Sequence, residues 1–146
     1  GSAARSQRVY EDATRYDATL TEETATIAFR DAGLKPSDID VVELHDAFTV
    51  EEVEYLEAMG FAPDGEAVPM LKEGQFDIGG RCAVSASGGL IAMGHPIGPT
   101  GVGQLAEITR QLRGEAGARQ HAGARRGLAH MVGVGAVCYV HLLAKD

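Results

Sequence analysis

The chain has 146 residues, with 13 Lys plus Arg against 21 Asp plus Glu, a formal charge of -8 and a pI near 5.0. A chain of this length buries roughly 70% of the surface its unfolded form exposes, so one domain can hold a core without metal or disulfide staples. The acidic balance, the absence of tryptophan and only four Tyr and four Phe exclude a phosphate-tracking surface for nucleic acid, and no run of apolar residues is long enough to span a membrane.

Charge is unevenly spread. Residues 1 to 76 hold 17 acids and 6 bases, whereas residues 77 to 146 hold 4 acids and 7 bases. Gly1-Ser2 is expected to be an appended scar, leaving one domain over 3–146, with no apolar segment of a secretory signal behind it. Residues 19 to 33 carry Ala25, Ala28, Phe29 and Ala32 at helical spacing, with Thr19 and Glu22 as a capping box and Gly33 as the stop. Ile39, Val41, Val42 and Leu44 follow a Pro-Ser-Asp turn and read as a buried strand. A second helix is expected from about Val50 to Met59, started by Thr49 and Glu52 and ended by Gly60. Its acidic run, Glu51, Glu52, Glu54 and Glu57, reads as the wet side. Residues 61 to 80 show no period and receive no structure. From Gly101 to about Gly114 the helical period returns, and Gly101 and Gly103 suggest close packing of its first turn. The nearly continuous apolar tail from Leu128 to Leu143 predicts two strands joined by a turn at Gly133 and Gly135.

The chemistry-bearing stretches are two. His45-Asp46-Ala47-Phe48 falls at the carboxyl end of the first strand, where open α/β sheets place ligand chemistry. Residues 79 to 103 hold eight glycines around Gly94-His95-Pro96. A histidine between glycine and proline has backbone freedom on one side and rigidity on the other, so its ring can be aimed into a cavity, with a helix N-terminus close by for an anion. On the residues alone, a turn with a hydrogen-bonded structural histidine is as good a reading.

"DIDVVELHDAF" at 38–48, "SASGGLIAMGHPIGPTGVGQ" at 85–104, "QLRGEAGARQ" at 111–120 and "GLAHMVGVGAV" at 127–137 resemble, in that order, the C-terminal half of the thiolase superfamily. The sterol-carrier-protein type of thiolase and the lipid-transfer-protein type of aldolase are the nearest groups. The resemblance implies an α/β fold with a mixed β-sheet and helices packed on both faces, an active site between two halves, and acyl-CoA as substrate with no further cofactor. It makes His95 the histidine that activates a nucleophilic cysteine and holds the thioester oxygen. It makes His45 a histidine of the oxyanion site, with Ser87, Gly88, Gly89 and Gly94 as substrate-binding backbone.

The departures are as specific. The nucleophilic cysteine of such enzymes lies in an N-terminal half, and this chain is expected to begin just after the strand that opens the C-terminal one. The two positions that hold an acid/base cysteine in the family are Ala47 and the loop His130-Met131-Val132. Cys82 and Cys138 read as free thiols without CxxC spacing, fitting a reducing, cytoplasmic setting. Tyr10, Tyr16, Tyr55 and Tyr139 are available to an aldolase, and nothing in the sequence selects among them. His121, His130 and His141 lack metal-ligand spacing and read as core or solvated residues. Arg110, Arg113, Arg119, Arg125 and Arg126 read as a solvated basic face or as a contact for an adenosine phosphate or a partner protein.

The expected protein is thus the C-terminal domain of an acyl-CoA enzyme for acyl transfer or retro-aldol cleavage. Its expected partners are an N-terminal thiolase half or second thiolase subunit, a small OB-fold protein associated with acyl-CoA, and a second copy in a homo-oligomer. The alternative is a non-catalytic module of the same shape that binds such a partner.

Overall fold

The computed structural model describes residues 1–6, 16–133 and 137–146. The turn expected around Gly135 and the side chains of Tyr10 and Tyr16 lie outside the described residues. Strands β1 (Ser2–Ser6), β2 (Val41–Glu43), β3 (Ala83–Val84), β4 (Arg126–Gly133) and β5 (Val137–Ala144) form one mixed sheet in the order β1-β5-β4-β2-β3. β2 runs parallel to β3 and β4, and β5 runs antiparallel to β4 and β1. Helices α1 (Tyr16–Ala32), α2 (Thr49–Ala58), α3 (Ala67–Lys72), α4 (Gly89–Met93) and α5 (Thr100–Arg113) complete the fold.

Both faces of the sheet are covered, as expected. All three residues of β2 are buried, so the strand shows no polar alternation. Val42, Leu128, Val132 and Val140 pack toward Leu20, Phe29 and Leu56 of α1 and α2. The neighbouring positions Val41 and Ala129 pack toward Ile108 and Leu112 of α5. The period-2 geometry of the strands sends successive side chains to these two clusters. Each fully buried Leu contributes roughly 1.5 to 3 kcal/mol.

The glycine that lets α5 approach the sheet is Gly127. A Cβ there would lie 2.3 Å from Ile108 Cγ2 and 3.1 Å from Val41 Cγ2. Gly101 has nothing within 4 Å of such a carbon, and Gly103 meets only Met93 Cε at 4.0 Å, so the close packing expected of them is absent.

Three further expectations are corrected. α1 starts at Tyr16, which puts Thr19 inside the helix rather than at its cap. A strand, β1, precedes α1 where none was expected. It pairs with β5, Ser2 Oγ lies 2.8 Å from His141 Nδ1, and Leu142 N–H donates to the Gly1 carbonyl. Residues 61–80 are structured: they contain α3, and Phe61, Ala62, Ala67 and Phe76 are buried in the α1 and α2 cluster. Among the described residues, no helix is long and apolar enough to cross a membrane.

Candidate active site

β2 delivers its last residues to the carboxyl end of the sheet, and Leu44, fully buried, anchors the corner that turns into α2. The helix cap is one residue earlier than the sequence suggests. Phe48 is the N-cap, and its N–H donates to Glu51 Oε2 at 3.0 Å. Glu51 is therefore drawn inward rather than standing on the wet side, and its side chain is only 14% exposed.

His45 is 8% exposed. Its backbone N–H donates to His130 Nδ1 at 3.5 Å, and His130 Nε2 lies 2.9 Å from Thr21 Oγ1. Tyr55 packs edge-on against the His130 ring, centroids 4.7 Å apart. Burial first, and then the neighbouring His45, pushes the His130 pKa down to about 3, so this ring is neutral, with Nδ1 as acceptor and Nε2 as donor. His130 is a core residue that holds the His45 backbone. Burial also lowers the pKa of His45, opposed by the charge of Glu51, whose Oε2 is 3.5 Å from His45 Nδ1.

The glycine block is locked to the same corner by two buried carboxyl groups. Asp46 Oδ1 accepts the Leu90 N–H at 2.8 Å. Gly89 has φ +62°, and a Cβ there would fall 1.9 Å from Asp46 Oδ2, so only glycine fits. Glu43 accepts both the backbone N–H and the hydroxyl of Ser87, at 3.0 and 2.5 Å. Burial raises the Glu43 carboxyl to about 7 against the opposing effect of those hydrogen bonds.

His95 stands on the exposed loop between α4 and α5, with Nδ1 2.8 Å from the hydroxyl of Thr100, the first residue of α5. Its ring meets that of His45 edge-to-face, centroids 5.1 Å apart at 86°. The two histidines, distant in sequence, thus share one site.

That site is a cavity of about 650 Å³ lined by His45, His95 and Glu51 together with Ala47, Phe48, Leu90, Ile97, Met131, Val132, Gly133 and Tyr139. Of the expected substrate-binding residues, Ser87, Gly88, Gly89 and Gly94 do not line it; Ser87 is turned to Glu43. Among the described residues, Tyr139 is the tyrosine on the cavity wall, and Tyr55 stands behind that wall against Glu51 and His130. Both cysteines are fully buried in the α1 and α2 cluster and absent from the lining. Burial pushes the Cys82 thiol up to about 12, the wrong direction for a nucleophile.

Glu51, Asp46 and Glu43 are the residues building this corner that sequence reasoning missed. The only available signal was an alternative helix cap at Phe48, which puts Glu51 at the third helical position.

Elsewhere, His121 Nδ1 accepts the Gly79 N–H at 3.2 Å. In the basic stretch, Arg119 forms an ion pair with buried Glu107 at 2.8 Å. Among the described residues, no group of three or more His, Cys, Asp or Glu is arranged to hold a metal ion.

Comparison with known proteins matches residues 1–144 to the family described as thiolase C-terminal domain-like, and the chain belongs to that family. It is 47% identical over 125 residues to chicken (Gallus gallus) sterol carrier protein 2, covering 86% of this chain and 23% of that protein. It is 44% identical over 135 residues to acetyl-CoA acetyltransferase of Methanothermobacter thermautotrophicus, covering 92% of this chain and 35% of that protein. A solved structure titled Ltp2-ChsH2(DUF35) aldolase superimposes with a TM-score of 0.77 at 28% identity, covering 99% of this chain and 38% of that one. The chain therefore spans about a quarter to a third of these two relatives' length.

Proposed function

We propose that this chain supplies the histidine half of an acyl-CoA site, and that retro-aldol cleavage of a carbon–carbon bond is the reaction this half fits best. The supporting observation is a cavity that brings His45 and His95 into ring contact while no thiol lines it. Thiolysis and Claisen condensation need a proton moved at sulfur or carbon, and family members use a second cysteine for it. Ala47 and Met131 occupy the wall where such a thiol would stand. Retro-aldol cleavage needs no thiol. It needs a base for a hydroxyl proton and a donor for the thioester oxygen as negative charge develops, and imidazoles can serve both.

The substrate is a CoA thioester with a hydroxyl on the β-carbon, and no other cofactor is called for. The remainder of the site comes from an N-terminal thiolase half or second thiolase subunit. Phe48 and Ile97, 68% and 71% exposed, form an apolar rim that such a polypeptide, an OB-fold acyl-CoA-associated protein or a second copy would cover. Two buried cysteines in a chain of this size fit a cytoplasmic setting.

The test is assay of the assembled protein on 3-hydroxyacyl-CoA, reading release of the carbonyl product, beside CoA-dependent cleavage of 3-ketoacyl-CoA. His95→Ala is expected to lower aldol cleavage by at least roughly 10²-fold. Efficient thiolysis without aldol cleavage, or unchanged turnover in the variant, would sink the reading.

A further inference from the structure

We infer that Glu51 is a positioning residue for His45, forming with it a carboxylate–imidazole pair in which Nδ1–H faces Glu51 and Nε2 offers its lone pair to the cavity as the base that replaces the missing thiol. The inference rests on the retro-aldol reading above.

The geometry begins with an orphan. His45 Nδ1 is buried and makes no hydrogen bond, in a residue only 8% exposed. Glu51 Oε2 lies 3.5 Å from it. The carboxylate is anchored independently of His45, because Oε2 accepts the Phe48 N–H and the Tyr55 hydroxyl donates to Oε1 at 3.4 Å. Tyr55 in turn packs on His130, which receives the His45 backbone N–H. The ring and the carboxylate are thus held from both sides in fixed proximity.

A neutral imidazole carries one N–H. If it sat on Nε2, the lone pair of a buried Nδ1 would face a carboxylate oxygen, two acceptors with no proton between them. Placing it on Nδ1 gives the orphan nitrogen an acceptor and leaves Nε2 as acceptor toward the cavity. In that form His45 cannot donate to a thioester oxygen, so the oxyanion falls to His95 alone.

The other groups facing His45 do not compete for Nδ1. Asp46 is committed to the Leu90 N–H, His130 is neutral, and His95 meets the ring edge-to-face. Glu51 favours the imidazolium, as a base needs, against the burial that disfavours it.

The step balances without a further reactant. His45 Nε2 takes the β-hydroxyl proton, the O–H electron pair becomes the new C=O bond, and the Cα–Cβ bond breaks. Its electrons pass to Cα and the thioester oxygen beside His95. The His45 imidazolium then returns the proton to Cα, leaving a carbonyl compound and a shortened acyl-CoA.

Side-chain ¹H–¹⁵N NMR of this chain tests the pair without turnover. His45 is expected to carry its neutral-form proton on Nδ1. Glu51→Gln keeps an oxygen for the Phe48 N–H but removes the charge, and is expected to lower the His45 titration midpoint by about one pH unit with the amide spectrum intact. In the assembled enzyme, the acidic limb of the kcat/KM profile for aldol cleavage should move down with it. A proton on Nε2 in the unsubstituted chain, which needs no variant to observe, would overturn the pair. So would a midpoint or an acidic limb that Glu51→Gln leaves in place. An Nδ1–H pair found in an enzyme that performs only thiolysis would overturn the reaction and the base role together, so the two failures are told apart.

Discussion

The two histidines of the site are mounted in opposite ways. His45 sits at the buried corner between β2 and α2, its backbone tied to His130 in the core and its ring beside an anchored carboxylate. His95 rides an exposed loop, and its ring has one side-chain hydrogen bond, to Thr100. The corner is fixed by this chain's own packing, which holds His45 from both its backbone and its ring. The loop has little cover, and Ile97 on it and Phe48 across the cavity mouth are both exposed, so fewer contacts fix the angle of the His95 ring. Under the proposed completion of the site by a second polypeptide, one ring would serve as fixed reference and the other would settle on assembly.

The comparison breaks most completely at Gly89, which joins the two mounts. Gly89→Ala forces a Cβ into Asp46 at a left-handed φ, and the clash costs the corner and α4 together. A loss of about 4 kcal/mol is expected in chemical denaturation, at the upper end for single substitutions. A loss below about 1 kcal/mol would show that the mounts are not joined there.

A smaller effect separates the mounts by pH. The Glu43 carboxyl, raised from 4.5 to about 7, binds a proton more tightly folded than unfolded. Its contribution to stability is therefore fully present below pH 4.5 and is lost as pH rises to 7, on the order of 3 kcal/mol in all. His130, lowered from 6.5 to about 3, works in the other direction, since stability falls as pH drops through that window. The two slopes oppose each other where the windows overlap. Glu43→Gln should remove one of them, so that the variant gains on the unsubstituted protein by about 3 kcal/mol between pH 4.5 and 7. Parallel denaturation curves against pH for the two proteins would refute the assignment.

The smallest effect is at the loop. Thr100→Val removes the hydroxyl beside His95 at a cost of about 1 kcal/mol or less. ¹⁵N relaxation should then report a freer His95 ring with His45 unchanged.

Much of this arrangement was legible in the sequence, and the exceptions have physical reasons. The strand before His45, the helix after the glycine block and the paired strands of the tail follow from apolar periodicity, because their side chains fill the core. β1 was not legible, since Ser2–Ser6 buries only Ala3 and is held by backbone pairing to β5, which no local pattern announces. The inward turn of Glu51 was missed for a subtler reason. A shift of one residue in the helix cap, from Thr49 to Phe48, rotates an acidic run so that one member faces the cavity. In the glycine and His-Pro block, Ser87 and Gly89 hold the loop to the corner while Leu90, His95 and Ile97 meet the cavity, a division that spacing along the chain does not announce.

Gly127 has a reach longer than its own surroundings. The hydrogen atom it carries in place of a side chain lets Ile108 rest on β4, and Ile108 lies about 12 Å along the α5 axis from Thr100, the residue that holds His95. α5 is in effect a lever with its fulcrum at Ile108 and the His95 ring at its tip. A single methyl at position 127 would tilt the lever and change the gap between the two histidines without touching either. Substitutions under the helix, rather than in the cavity, are thus a means of reshaping the space between the two rings.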